Sequence, residues 1–92
     1  MNKYESIIIV NPNLDEAGLK ALEEKFTGLI NENGKVESVE NMGKKKLAYD
    51  IKKMNEGTYL LFNFEAKPDS IKELERVYRI TDDIMKFIVV KK

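Results

Sequence analysis

The chain has 92 residues, 35% of them charged, and its 16 basic and 16 acidic side chains leave a formal net charge of zero. It contains no cysteine and no histidine, which removes disulfides, thiolate and imidazole metal ligands, cysteine nucleophiles and Ser-His catalysis together. Apolar runs such as Ile7-Ile8-Ile9-Val10 fall far short of the ~20 residues of a membrane helix and of the apolar core of a signal peptide, so a soluble cytosolic protein with no membrane partner is expected.

Residues 1–92 are expected to form one domain, since surface scaling lets a chain of this length bury about two-thirds of its unfolded surface without disulfide or metal staples. The charge is unevenly spread. Four lysines against eight acids put residues 1–42 at −4, and twelve basic against eight acidic residues put residues 43–92 at +4. A basic patch toward the C-terminal half, suited to a polyanion, is one reading of that asymmetry; an ordinary charged surface is the other.

Residues 3–10 are rich in β-branched side chains and stop at Asn11-Pro12-Asn13, a turn signal, which predicts a strand. Ile7, Ile8, Ile9 and Val10 fall on both of its faces, as in a strand at the centre of a sheet. Leu19, Leu22, Phe26, Leu29 and Ile30 then make one helical stripe. This predicts a helix over residues 15–33, with Asn13 and Glu16 as a capping box and Gly34 as a left-handed stop. In residues 35–53 the apolar positions are Val36, Val39, Leu47, Tyr49 and Ile51. The last three alternate as in a strand with one polar face, while the step from Val36 to Val39 breaks period two and predicts a bulge. Met54-Asn55-Glu56-Gly57 is expected to turn the chain. Residues 58–66 alternate strictly, with Leu60, Phe62, Phe64 and Ala66 on one face and Tyr59, Leu61, Asn63 and Glu65 on the other. A second helix starts at Asp69 or Ser70, capped by Ser70 with Glu73, and buries Ile71, Leu74, Val77 and Tyr78. Thr81-Asp82-Asp83 turns into a last strand over residues 84–90, closed by Lys91-Lys92.

The order β-α-β-β-α-β, with one apolar stripe per helix, predicts an α+β, ferredoxin-like two-layer sandwich. Its sheet is four-stranded and antiparallel, in the order 4-1-3-2, with both helices on one face. On that plan Tyr4, Ile8 and Val10 point at the helices, and Ser6 is an awkward polar member of the same set. Ile7, Ile9, Tyr59 and Leu61 lie on the open face, where no further layer of the chain is expected to cover them. Exposed apolar patches of this kind mark interaction sites.

Motifs for chemistry are missing. The loop Asn11-Pro12-Asn13-Leu14 has neither the glycines nor the positive charge of a phosphate cradle, and Gly43-Lys44-Lys45-Lys46 lacks the spacing and the strand-to-helix setting of one. Asp82-Asp83 and Glu23-Glu24 read as solvated turn and helix-face pairs. Base stacking across the sheet, the mode of RNA-recognition motifs, is not expected, because the third strand turns only Tyr59 outward. No enzyme activity, cofactor, metal or small-molecule substrate is expected.

Lys3-Tyr4-Glu5, Val10-Asn11-Pro12-Asn13-Leu14, Gly43-Lys44-Lys45-Lys46-Leu47-Ala48-Tyr49-Asp50-Ile51 and Arg79-Ile80-Thr81-Asp82-Asp83, followed by Val89-Val90-Lys91, stand in the order and near the spacing of one family. Over essentially its whole length the chain resembles the sixth protein of the bacterial small ribosomal subunit, the glycine-basic-Leu-Ala-Tyr-x-Ile run being the most specific segment. The resemblance implies a ferredoxin-like fold and a structural place in the small subunit of the cytoplasmic ribosome. It also implies binding to the central domain of small-subunit ribosomal RNA and pairing with the small basic eighteenth protein of that subunit. Some members have longer C-terminal tails; with Lys92 as the last residue, no tail function is expected.

Within this reading Lys3, Arg79, Lys86, Lys91 and Lys92 are the expected phosphate contacts, with Lys3 and Lys91 close together where the first and last strands pair. Ile7, Ile9, Tyr59 and Leu61, with Lys44, Lys45 and Lys46, are the expected partner interface. The alternative, from another class, is a small-molecule-binding regulatory domain of the same fold acting as a homodimer through the open face.

Overall fold

The computed structural model describes residues 2–51 and 53–92; Lys52, inside the expected 35–53 segment, lies outside them. The elements run β1 (Asn2–Val10), α1 (Glu16–Asn33), β2 (Gly34–Ile51), β3 (Met54–Ala66), α2 (Pro68–Ile80) and β4 (Ile84–Lys91). All strand pairs are antiparallel and the sheet order is β2-β3-β1-β4. This is the expected ferredoxin-like arrangement, with β1 and β3 central.

Alternation along the two central strands decides the core. Tyr4, Ser6, Ile8 and Val10 of β1 turn the same way as Leu60, Phe62, Phe64 and Ala66 of β3. Against them α1 sets Leu22, Phe26 and Ile30, and α2 sets Leu74 and Tyr78. The Phe26 and Tyr78 ring centroids are 4.7 Å apart, and those of Tyr78 and Phe87 are 5.3 Å apart, which ties both helices to β4. Ser6 is fully buried and shares a 2.9 Å hydrogen bond with the Tyr78 hydroxyl. Each hydroxyl meets the other's need, since a buried one left without a partner costs about 1–3 kcal/mol. Burial pushes the Tyr78 phenol up to about 12, against the weaker opposing effect of the Ser6 hydrogen bond.

Three expectations at element ends are corrected. Helix α1 is capped by Asp15, whose side chain accepts from Gly18 N at 2.7 Å. The Asn-Pro-Asn segment is used for the turn instead, with Asn11 Oδ1 accepting from Asn13 N at 2.9 Å. Gly34 is no left-handed stop: its backbone is extended (φ −171°) and it opens β2 opposite Ala66. Glycine is needed there because a Cβ would overlap the Glu65 carbonyl oxygen. Helix α2 begins with Lys67 at the cap and Pro68 in its first turn, where the fixed φ of proline is already helical. Ser70 Oγ donates back to Lys67 O at 2.7 Å and does not form the expected box with Glu73.

The β2–β3 hairpin departs most from expectation. Strand β1 pairs with β3 only over residues 58–66, yet β3 begins at Met54, so residues 54–57 are strand and not turn. Ile51 pairs with Met54, and Lys53 between them has φ 66°. The expected bulge lies between Val36 and Ser38; further register shifts follow between Asn41 and Gly43, where Gly43 has φ 81°, and between Lys46 and Ile51. Extra residues on one strand bend and twist a hairpin. Its far end therefore curls as an arm over the open face near Ile9. Gly57 permits that closeness: a Cβ there would overlap the Ile9 Cγ2 methyl. A glycine that reads as a turn residue is in fact clearing space for a core contact.

Candidate functional site

Strand register sets the contents of the open face. Strand β1 contributes Lys3, Glu5, Ile7 and Ile9, and β3 contributes Tyr59, Leu61, Asn63 and Glu65. Strand β4 adds Lys86 opposite Ile9, Ile88 opposite Ile7 and Val90 opposite Glu5. The face has a polar end, an apolar middle and a roofed end.

A band of paired polar groups crosses β1, β3 and β2 at the polar end, joined by Lys92 just past the end of β4. Lys92 Nζ lies 3.7 Å from a Glu5 carboxylate oxygen and donates to Asn63 Oδ1, and the Asn63 amide donates to Ser38 Oγ at 3.0 Å. Lys3 approaches Glu65 at 3.9 Å. Exposed pairs of this kind contribute about 0–1 kcal/mol each, so they can be exchanged for other partners at small cost. In the middle, Ile7 and Leu61 are half-buried, while Ile88 and Val90 are 47% and 50% exposed.

The roofed end corrects the expectation that Ile9 lies open. Ile9 is only 8% exposed, with Gly57 against it and Leu47 of the arm buried nearby. A groove of about 280 Å³ remains between arm and sheet, lined by Ile7, Ile9, Tyr59 and Ile88 below and by Leu47, Tyr49 and Ile51 above. Lys86 Nζ donates to the Tyr49 hydroxyl at 2.9 Å and sits 5.5 Å from the centre of that ring. Lys45 Nζ sits 5.6 Å from the centre of the Tyr59 ring. The hydrogen bond to Tyr49, followed by the charge interactions with Tyr49 and Tyr59, pushes the Lys86 ammonium above the ordinary lysine pKa.

The expected phosphate contacts do not form one cluster. Lys3, Lys86 and Lys92 share the open face, but Lys91 pairs with Tyr4 and so turns to the helix side. Arg79 sits at the end of α2, with its Nε 3.5 Å from Glu75 O. Lys3 and Lys91 are backbone neighbours at the β1–β4 pairing, where Lys92 N donates to Lys3 O at 2.9 Å, but their side chains turn to opposite faces of the sheet. Lys86 is five residues along β4 from Lys91, roughly 17 Å at strand spacing. Lys44 and Lys46 stand opposite Thr58 and Glu56 at the root of the arm.

Ile88 and Val90 are not among the expected interface residues, although aligning the first and last strands in the order 4-1-3-2 puts them there. Tyr49 carries no such signal, because its place over the sheet depends on the bulges. Among the described residues no acidic cluster suits a metal ion, and no helix is long and apolar enough to cross a membrane.

Comparison with known proteins bears on what such a face serves. The family model described as Ribosomal protein S6 matches residues 3–91. The chain belongs to the ribosomal protein S6 family. Small ribosomal subunit protein bS6 of Clostridium novyi is 55% identical over 91 residues, covering 98% of this chain and 96% of that protein. The bS6 of Clostridium perfringens strain SM101 is 55% identical over 92 residues, covering 99% and 97%. The crystal structure of 30S ribosomal protein S6 from Thermotoga maritima matches with a TM-score of 0.93 at 38% identity, covering 99% of this chain and 87% of that one. As a member of the S6 family the chain is a structural, non-enzymatic component of the small subunit of the bacterial cytoplasmic ribosome. The alternative of a regulatory small-molecule domain finds no support beside that match.

Proposed function

We propose that this S6-family chain binds the central domain of small-subunit ribosomal RNA jointly with a small basic partner, the eighteenth protein of the subunit. The observation that carries the reading is the apolar middle of the open face, where Ile7 and Leu61 adjoin the exposed Ile88 and Val90. Glu40 opposite Leu61 and Glu5 opposite Val90 give that patch acidic margins, which complement a basic partner. Ile9 and Tyr59 support the patch from beneath the arm, and Lys44, Lys45 and Lys46 flank it.

The phosphate contacts belong to the edge made by β4 and α2. Among the described residues, Lys86, Lys91 and Arg79 hold no carboxylate within ion-pair distance, whereas Lys3 and Lys92 hold Glu65 and Glu5. The first three are ready for phosphate; the other two must exchange a partner. A chain of zero net charge has little general attraction for RNA, so high affinity requires charge supplied from outside.

Filter-binding titrations of central-domain RNA with each protein alone, and with both, test the reading. The pair should bind at least tenfold more tightly than this chain alone, which needs only ~1.4 kcal/mol of coupling. By linkage the RNA should tighten the protein pair by the same factor. Tight binding by this chain alone, independent of the partner, overturns the reading.

A further inference from the structure

Helix α2 sorts its charges by flank. Asp69 and Glu73 line a shallow hollow beside Asn33 of α1, so their flank looks toward that helix. At 3.6 residues per turn, Lys72 and Arg79 fall on the other flank, toward β4, and Arg76 stands between the two and holds Glu73. Lys72, Arg76 and Arg79 are all exposed, and their spacings of four and three make one stripe along the helix. Asp69 stands three residues before Lys72, and Glu75 four before Arg79. Even so, among the described residues neither Lys72 nor Arg79 has a carboxylate at ion-pair distance. Lys91 carries the stripe onto the sheet. It turns to the helix side of β4, and the Tyr78–Phe87 ring contact holds α2 against that strand. From this contact, Lys72 lies six residues back along α2, about 9 Å, and Lys91 four residues on along β4, about 13 Å. Residues 81–83 reverse the chain between α2 and β4, so both steps lead to the same end of the molecule.

We propose that this flank of α2 lies along the phosphate backbone of a double-helical RNA segment, with Lys72 and Arg76 as contacts beside Arg79 and Lys91. The inference rests on the RNA-binding reading above and deepens it, adding two cations and committing the form of the RNA. Shape and chemistry favour this occupant. From Lys72 to Arg79 the stripe runs seven residues along a straight helix, about 10.5 Å, which matches a regular row of phosphates better than a folded loop. Nothing on the flank offers a ring to an unpaired base, since Tyr78 is fully buried and Phe87 is half-buried against it. Unpaired bases are held by stacking on exposed aromatic rings, whereas duplex RNA is recognised by shape and phosphate contacts. Helix α1 shows no such sorting: Lys20 shares one hollow with Glu23 and Glu24.

The test is a salt series of filter-binding titrations of central-domain RNA with the native protein pair, using single variants of this chain. Lys72→Gln should lower the salt slope by about 0.7–0.9, equally for matched and altered RNA sequences. Arg76→Gln should lower it by less, because that guanidinium already holds Glu73. Lys20→Gln on α1 makes the same change in net charge and should leave the slope where it is. All three positions are exposed, so the fold should tolerate the changes, and thermal scans check this. Amide NMR titrations of the full chain at low salt then separate the possible occupants. A duplex RNA should shift the amides of residues 72–79 more than a single-stranded oligoadenylate of equal phosphate content, and more than polyglutamate of equal charge. An unchanged slope for Lys72→Gln, or an equal drop for Lys20→Gln, overturns the inference. So do α2 amides that answer the single strand or polyglutamate as strongly as the duplex. If the wild-type pair still binds central-domain RNA in any of those cases, the α2 assignment alone has failed; if the pair does not bind that RNA, the RNA-binding reading has failed.

Discussion

The Ser6–Tyr78 contact offers a sharp test of how the core is held. Both residues are fully buried, and their hydroxyls are 2.9 Å apart in otherwise apolar surroundings. Tyr78→Phe deletes one hydroxyl and strands the other, so it should cost about 1–3 kcal/mol. Ser6→Ala strands the phenol and should cost a similar amount. The double variant removes both polar groups, so its loss should fall short of the sum by about 1–2 kcal/mol, a coupling typical of contacting residues. Urea titrations followed by circular dichroism measure all four corners of the cycle, and an unchanged denaturant slope certifies the comparison. In a domain of this size each kcal/mol moves Tm by ~4–8 °C, so the single variants are easily distinguished. The pair also predicts a pH effect. The phenol is pushed from 10.0 to about 12 in the folded chain, so the folded state keeps a proton that the unfolded state releases. That contribution is fully present below pH 10 and is lost as pH rises to about 12, amounting to ~2–3 kcal/mol. Because lysines titrate alike in both proteins, the difference between wild type and Tyr78→Phe isolates it. An additive cycle, or a difference curve that stays flat from pH 10 to 12, refutes the reasoning.

Leu61→Asp places a charge in the apolar middle of the open face and should weaken association with the basic partner by ~1–3 kcal/mol, read by calorimetry, while the cooperative unfolding transition persists. Lys91→Gln should reduce the salt dependence of RNA binding by about 0.7 in slope, and equally for matched and altered RNA sequences. Lys92→Gln should reduce it less, because its ammonium already holds Glu5 at 3.7 Å; equal reductions in filter-binding assays contradict the distinction. Gly34→Ala drives a Cβ into the Glu65 carbonyl oxygen and should cost more than about 2 kcal/mol, the upper range for single changes, with a thermal scan as the check.

The sheet order and the core phase were legible in the sequence because two signals agreed there. Strict alternation through Leu60, Phe62 and Phe64 set one face of β3, and the two-faced run Ile7 to Val10 required a central position for β1. Ser6 broke the pattern only because its partner, Tyr78, is 72 residues away, and such a pairing leaves no local mark. Helix ends were less legible: Asn13 and Asp15 are both good caps, and competition between neighbours is settled by where the chain must go next. The site was legible in part. Ile7 and Leu61 followed from parity, but the arm did not, since it is built by three successive register shifts in β2. Sequence composition at Met54-Asn55-Glu56-Gly57 argued for a turn, and the close contact with Ile9 that explains the glycine is tertiary.

The pairing of β1 on both sides has a consequence for how the chain is made. Its partners begin at residue 58 on one side and residue 84 on the other, so the first strand to leave a translating ribosome is the last to be completed. At ~5–20 residues per second, roughly 4–16 s separate synthesis of Val10 from that of Lys91. Throughout that interval Ile7-Ile8-Ile9-Val10, the most β-prone stretch of the chain, has at least one open edge. Glu5 before it and Pro12 after it are the kinds of residue that discourage such a stretch from pairing with another chain. Nascent chains arrested just before β4 should therefore expose a half-finished sheet, and the last dozen residues close it.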